Sequence, residues 1–313
     1  MGSKSAGEFT RLSLCERPER LIVKRTAEPR PSIVNAAKML LTAGLLLIPV
    51  GARADDASPW TKGHFAQTRL VAGEMAQPEG DTQILAGVQI KLDNGWKTYW
   101  RNPGDSGLPP SFDWSESKNL KSATVRWPAP HRFRDPYGTS IGYSKEVVFP
   151  VDVTPVRAGE PVELKLKLEY AVCKDICVPA QDDLSLNLEP GGKTSAGVGA
   201  VIWRYLSQVP AQPGEAGKQP RIETLRHVLE GSALKIVIEA SFPNGIEGAD
   251  LFADGGDDVY LPPPELIDPL GNGRVRFTIK MNGDTDVDAL RGRDVTWTLV
   301  SNEGGSEEVR RVK

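Results

Sequence analysis

Long apolar runs are missing from most of this sequence. After residue 54 no stretch reaches the ~20 residues that a membrane-spanning helix needs, so no such helix is expected there. Basic residues are not in excess either: 38 Lys and Arg stand against 41 Asp and Glu, and nothing in their distribution points to nucleic acid. Cysteine is scarce, with three residues in 313, so at most one pair is available. Residues 221–313 hold no cysteine, no acid–base cluster and no Gly-rich phosphate loop, which leaves that stretch without legible chemistry.

What is present favours strands. The 25 Pro and 31 Gly mark many turns, and Trp occurs 7 times, a composition that suits an all-β protein better than a helical one. The length is enough for two domains with cores of their own. The expected organisation is a pair of β-sandwich domains, 55–195 and 221–313, joined at 196–220 by a short helix and a Pro/Gly linker.

Export is expected as well. From Ala37 the chain reads AKMLLTAGLLLIPVGARADD: a basic residue, an apolar run of about a dozen residues, then Ala52-Arg53-Ala54 before Asp55, the pattern of a secretory signal cleaved after Ala54. Residues 1–54 therefore read as a signal peptide with an extended basic n-region. They hold nine of the basic and four of the acidic residues, leaving 29 against 37 and a net charge of about −8. Cys15 goes with them. The two cysteines left face an oxidising compartment, where an unused pair closes and a pair kept reduced needs electrons from elsewhere.

Those two, Cys173 and Cys177, interrupt the clearest stretch of alternation in the chain, Val162 to Leu188. Leu164, Leu166, Leu168, Tyr170 and Val172 alternate with charged or small residues, and Leu184, Leu186 and Leu188 do so again, the period-2 signature of two half-buried strands. A continuous strand would hold the thiols about 13 Å apart, whereas a disulfide needs Cα atoms within about 4.4–6.8 Å. The chain must turn across Lys174, Asp175 and Ile176, by a hairpin loop or one helical turn.

Three readings of the pair stand. A stapling disulfide is the first, although so small a loop restricts the unfolded chain little. A copper or zinc site is the second, with His64 or His131 as a further ligand; CxxxC without a neighbouring His is a weak signal for it. The third, which we favour, is a redox-active pair working by thiol–disulfide exchange, with no metal and no cofactor.

Around this hairpin the chain reads as short strands at Arg69–Gly73, Thr82–Leu92, Pro110–Trp114, Ala123–Trp127 and Glu146–Val153. Asp93 to Pro110, DNGWKTYWRNPGDSGLPP, places Trp96, Tyr99 and Trp100 between turn signals, as core filling or as an apolar wall beside the cysteines. Pro130 to Tyr143 reads as a loop rich in turn residues and aromatics. Gly197–Val209 has helical spacing, and Pro210–Pro220 follows as a linker. Further strands are expected at Ala233–Ala240, Leu251–Ala253, Val259–Leu261, Arg274–Met281 and Val295–Val300.

Three separated segments, GWKTYWRNPGDSGLPPSFDW (95–114), HRFRDPYGTSIGYSKEVVFPV (131–151) and YAVCKDICVPA (170–180), occur in the order found in one known family. The chain resembles the N-terminal periplasmic domain of the DsbD family of thiol:disulfide interchange proteins, including ScsB-like members. The resemblance implies immunoglobulin-like sandwiches and a redox pair on edge strands of one sheet. It also implies a cap loop over the sulfurs, here Asp135, Pro136, Tyr137 and Gly138, with Tyr137 covering the pair and Trp96 and Tyr99 supporting it. Cys177 would form the mixed disulfide and Cys173 would resolve it. The implied partners are a membrane electron donor of the DsbD/CcdA type or a thioredoxin-like protein, and periplasmic thioredoxin-fold clients.

Overall fold

The computed structural model describes residues 56–73, 83–135, 138–190, 195–212, 219–230, 233–256, 260–281, 290 and 292–312. The expected signal peptide and Cys15 lie outside the described residues. Those described belong to one compact unit, Ala52–Lys313, and they are nearly all strand. The fold is all-β and immunoglobulin-like, built of antiparallel sheets.

Four of the strands make the first sheet: β1 (Ala66–Ala72), β2 (Ile84–Leu92), β5 (Leu120–Val125) and β8 (Glu146–Pro155), in the order β1-β2-β8-β5. The second sheet runs β10-β9-β3-β7-β6 and contains β3 (Lys97–Gly104), β6 (His131–Asp135), β7 (Gly138–Ser144), β9 (Val162–Cys173) and β10 (Cys177–Leu188); the short β4 (Ser111–Asp113) also pairs with β9. Alternation puts Leu164, Leu166, Leu168, Tyr170 and Val172 of β9 into one core with Val88, Ile90, Phe149 and Val151 of the facing sheet. The expected helix is present as α1 (Ala196–Leu206). Its Ile202 packs on Val71, Leu85 and Val148, so the helix covers the outer face of the first sheet.

The remaining strands form a second sandwich. One sheet has the order β11-β12-β15-β14, from β11 (Arg221–Glu230), β12 (Ala233–Ser241), β14 (Glu265–Gly271) and β15 (Arg274–Lys280); the other has β13-β16-β17, from β13 (Asp250–Asp254), β16 (Asp294–Ser301) and β17 (Gly304–Arg311). Ile236, Ile238, Phe277, Ile279, Trp297 and Leu299 fill the space between them.

Three expectations change. The segment read as a loop at 130–143 is largely a strand pair, β6 and β7, in register from His131↔Gly142 to Asp135↔Gly138. Its glycines are there for close approach as well as turning: a Cβ on Gly142 would lie 2.0 Å from the Thr98 carbonyl oxygen of β3. Tyr260 and Leu261, placed in a strand by their apolar character, lie outside any strand, while β11, β14 and β17 went unnoticed. Each of these three is a sheet edge. The helix also ends earlier than expected, and Ala211 behind it bridges to Ser306 of β17.

Candidate redox site

The turn between β9 and β10 is a hairpin loop and not a helical turn. Register places Cys177 directly opposite Cys173, and the Lys174 N–H donates to the Ile176 carbonyl at 3.2 Å. The Cα atoms are 4.2 Å apart and the sulfurs are joined as a disulfide. That spacing is close to the ~4.5 Å of directly opposed residues that exchange no backbone hydrogen bonds.

The two sulfurs differ in environment. Cys173 is 2% exposed, whereas Cys177, Lys174, Asp175 and Ile176 are all exposed. The reason lies in the neighbouring strand. β3 pairs with β9 at Lys97↔Cys173 and Thr98↔Val172, and the buried Thr98 hydroxyl donates to the Ala171 carbonyl at 2.9 Å. Tyr99, Ala171 and Cys173 then form a small cluster separate from the main core. The Tyr99 hydroxyl donates to Cys173 Sγ at 2.7 Å and lies 3.2 Å from Cys177 Sγ. Its ring lies flat on Gly107, where φ is +126° and a Cβ would come within 2.3 Å of the ring. Only glycine accepts both conditions.

Other groups frame the pair. Lys97 Nζ donates to Ser140 Oγ at 2.7 Å and sits over the Phe133 ring at 5.6 Å, which ties the end of β3 that pairs with Cys173 to β6 and β7. The Lys174 stem passes over Gly95, its Cε 3.3 Å from where a Cβ would stand. Further along the hairpin, Tyr170 donates to Asp182 at 2.9 Å. Burial first, and then the adjacent carboxylate, raise the Tyr170 phenol well above its ordinary range, so it stays protonated.

Of the residues singled out from sequence, Cys173, Cys177 and Tyr99 come together. Trp96 stacks on Phe65 with ring centres 3.9 Å apart. Phe65 sits at φ +67°, a conformation rare for an aromatic residue, and its carbonyl accepts from Asp93 N–H at 2.9 Å. Asp135 pairs with Gly138 across the β6–β7 turn; Pro136 and Tyr137 lie outside the described residues. His64 and His131 are exposed, and among the described residues no group of three metal-ligating side chains converges. Gly107 was passed over as one more turn residue, and nothing in the local sequence pairs it with Tyr99.

The family model for the thiol:disulfide interchange protein DsbD, N-terminal, matches residues 67–189. Residues 67–189 are a DsbD-family N-terminal domain. The match spans the disulfide hairpin, β3 and the β6–β7 pair. Among solved structures, the N-terminal periplasmic domain of ScsB from Proteus mirabilis aligns with a TM-score of 0.63 at 21% identity, covering 83% of this chain and 99% of that one. At that identity the likeness speaks for the fold, and its coverage extends well beyond the DsbD-type domain. Bovine butyrophilin aligns at a TM-score of only 0.20 and 11% identity, over 73% of this chain and 91% of that one. No curated protein is a match to the sequence.

Proposed function

We propose that the protein is a periplasmic thiol–disulfide interchange protein that relays reducing equivalents to exported thiol proteins through Cys173 and Cys177. The observation that carries this reading is the unequal exposure of two joined sulfurs, with a phenol hydroxyl donating to the buried one. A donor thiolate attacks the exposed Cys177 Sγ. The S–S bond breaks, Cys173 leaves as a thiolate, and a mixed disulfide joins the donor to Cys177. The Tyr99 hydroxyl donates a hydrogen bond that is stronger to a thiolate than to a disulfide sulfur, so it favours departure of Cys173. The donor's second thiol then attacks its own sulfur in the mixed disulfide and releases Cys177. The donor is oxidised by two electrons and the pair holds them.

In the forward half of the relay the roles repeat. Cys177 attacks a client disulfide as a thiolate, and Cys173 attacks Cys177 Sγ to close the ring and release the reduced client. The donor is a membrane protein of the DsbD/CcdA type or a thioredoxin-like protein, and the clients carry thioredoxin folds. A stapling role fits less well, because closing a loop of three residues restrains the unfolded chain little. Periplasmic location accords with the ScsB relative, described as a periplasmic domain, and with the expected signal peptide. No helix among the described residues is long and apolar enough to cross a membrane.

The test is to trap the mixed disulfide. Cys173→Ala and Cys177→Ala proteins are each mixed with a thioredoxin-fold protein whose resolving cysteine has been removed and whose remaining cysteine is activated as a mixed disulfide with a small aromatic thiol, which leaves as the protein–protein disulfide forms. Cys173→Ala is expected to form the covalent adduct at least about a hundredfold faster than Cys177→Ala. Equal rates, or faster reaction through Cys173, would contradict the assignment.

A further inference from the structure

The second sandwich carries no cysteine, yet it is bonded to the strand that carries Tyr99. β3 pairs with β9 only at Lys97 and Thr98, and β4 takes over pairing with β9 further along. On its other side the pairing with β7 jumps from Tyr99↔Gly142 to Gly104↔Ser140. Four residues, Trp100 to Pro103, therefore bulge between the paired ends without register partners in their own sheet.

The second sandwich fixes them instead. Trp100 packs against Phe252 with ring centres 5.7 Å apart. Arg101, two residues from Tyr99, donates from Nε to Asp254 at 3.0 Å and from its terminal nitrogen to Thr298 at 3.2 Å and to Glu307. The side chains of this ion cluster are only 17–24% exposed, so solvent screens it weakly. Asn102 Nδ2 donates to the Ala253 carbonyl at 2.7 Å. One short strand thus touches both sulfurs at one end and is held by carboxylates of the second sandwich at the other.

We infer that residues 221–313 act as a positioning platform for the redox pair, and that Arg101 is a positioning residue that sets Tyr99 against Cys173 through its bonds to Asp254 and Glu307. A platform matters here because the bulge lacks register partners in its own sheet while Arg101 and Asn102 bond to the second sandwich. The chemistry follows from the thiolate argument: loosening Arg101 lets the Tyr99 hydroxyl drift from Sγ, the reduced form loses a charge-assisted hydrogen bond, and the pair becomes harder to reduce. This goes beyond the relay role, since it concerns the equilibrium of the pair whatever donor or client it meets.

A double-mutant cycle on the full chain tests it. Wild type, Tyr99→Phe, the Asp254→Asn/Glu307→Gln protein and the combination of all three changes are equilibrated with glutathione buffers, and free thiols are trapped and counted. The carboxamide variant is expected to shift the equilibrium toward the disulfide by about threefold or more, in the same direction as Tyr99→Phe. The combined protein should shift no further than Tyr99→Phe alone, the non-additivity expected of groups acting in series. Arg101→Lys should recover part of the wild-type value, and Arg126→Ala, which breaks an ion pair with Asp152 away from β3, should leave it within twofold. The inference is overturned if the carboxamide changes lower melting temperature but leave the glutathione equilibrium unchanged, if their effect adds in full to that of Tyr99→Phe, or if Tyr99→Phe itself shifts nothing. Failure of the relay reading would show differently, as absence of mixed disulfides with thioredoxin-fold proteins while this cycle still closes.

Discussion

The two sandwiches are built from the same alternation of apolar and polar residues, yet they differ in what they do with irregularity. In the second, the register shifts lie on the edge strands β11 and β14, and Trp297, Phe277 and Ile238 close a core with no exposure at all. In the first, β3 leaves β9 after Thr98, glycines admit backbone contacts that no side chain would allow, and a buried disulfide sulfur lies beside a tyrosine hydroxyl. Bulges on edge strands leave the pairing of β12 with β15, and of β16 with both its neighbours, in continuous register. The first sandwich instead sets Tyr99 beside a break in an inner strand, and the second sandwich supplies contacts to that break.

The sharpest way to break this comparison is to weaken the second sandwich. Trp297→Ala should cost about 3–5 kcal/mol, as removal of a buried aromatic side chain does, measured by urea unfolding. It should also raise the rate at which Cys173 is alkylated in the reduced protein. If it destabilises the chain but leaves Cys173 as protected as before, the two sandwiches are independent.

Next in size is Tyr99→Phe, which keeps the ring and removes the hydroxyl. A hydrogen bond to a charged group contributes about 1.5–3 kcal/mol, so the glutathione equilibrium should move roughly tenfold or more toward the disulfide while the melting temperature changes little. A shift toward the dithiol would reverse the role given to the hydroxyl. Gly107→Ala should destabilise by about 1–3 kcal/mol, the cost of an unfavourable backbone region with a ring in the way, and should displace Tyr99 enough to reproduce part of the redox shift. Unchanged melting and unchanged equilibrium would show that the ring has room to move.

Alkaline pH acts on both sandwiches, since Tyr260, which donates to Asp105, is also raised chiefly by burial. Tyr143 and Tyr170 of the first, and Tyr205 of the helix on it, are raised above the ordinary phenol range, in each case chiefly by burial. Above about pH 10 these phenols ionise in the unfolded chain before they do in the folded one. The unfolded state then binds fewer protons, so stability is full below that pH and falls as pH rises. Urea midpoints should decline from about pH 10 upward, with less decline in Tyr170→Phe. The smallest effect is expected from Arg126→Ala, whose half-exposed ion pair with Asp152 should contribute under about 1 kcal/mol.

Strands with a clear apolar face were legible from sequence, edges such as β10 among them, and the three more polar edges were not. Val162–Leu188 declared its two strands because half of each is core, and β12, β15 and β16 showed the same alternation. β11, β14 and β17 escaped because an edge strand meets solvent on more sides: β14 is ELIDPLG, almost wholly exposed and interrupted by a proline that only an edge tolerates. The glycines of the β6–β7 pair were read as turn signals, since a sequence does not say whether glycine is chosen for a positive φ or for an approaching carbonyl. At the site, the Cys173–Cys177 turn followed from disulfide geometry alone. Tyr99 was picked as one of three nearby rings, but its distinction from Trp96, which stacks on Phe65 instead, depends on which face of β3 meets β9. The ties from Arg101 to Asp254 and Glu307 span more than 150 positions, and nothing local announces them.

The most direct test of the redox reading is the reduction potential of the Cys173–Cys177 pair in the protein without residues 1–54, obtained by equilibration with defined thiol buffers and trapping of free thiols. A relay should fall between about −120 and −270 mV, the range of exchange proteins. A value below about −300 mV would make the bond a structural disulfide and contradict the exchange mechanism.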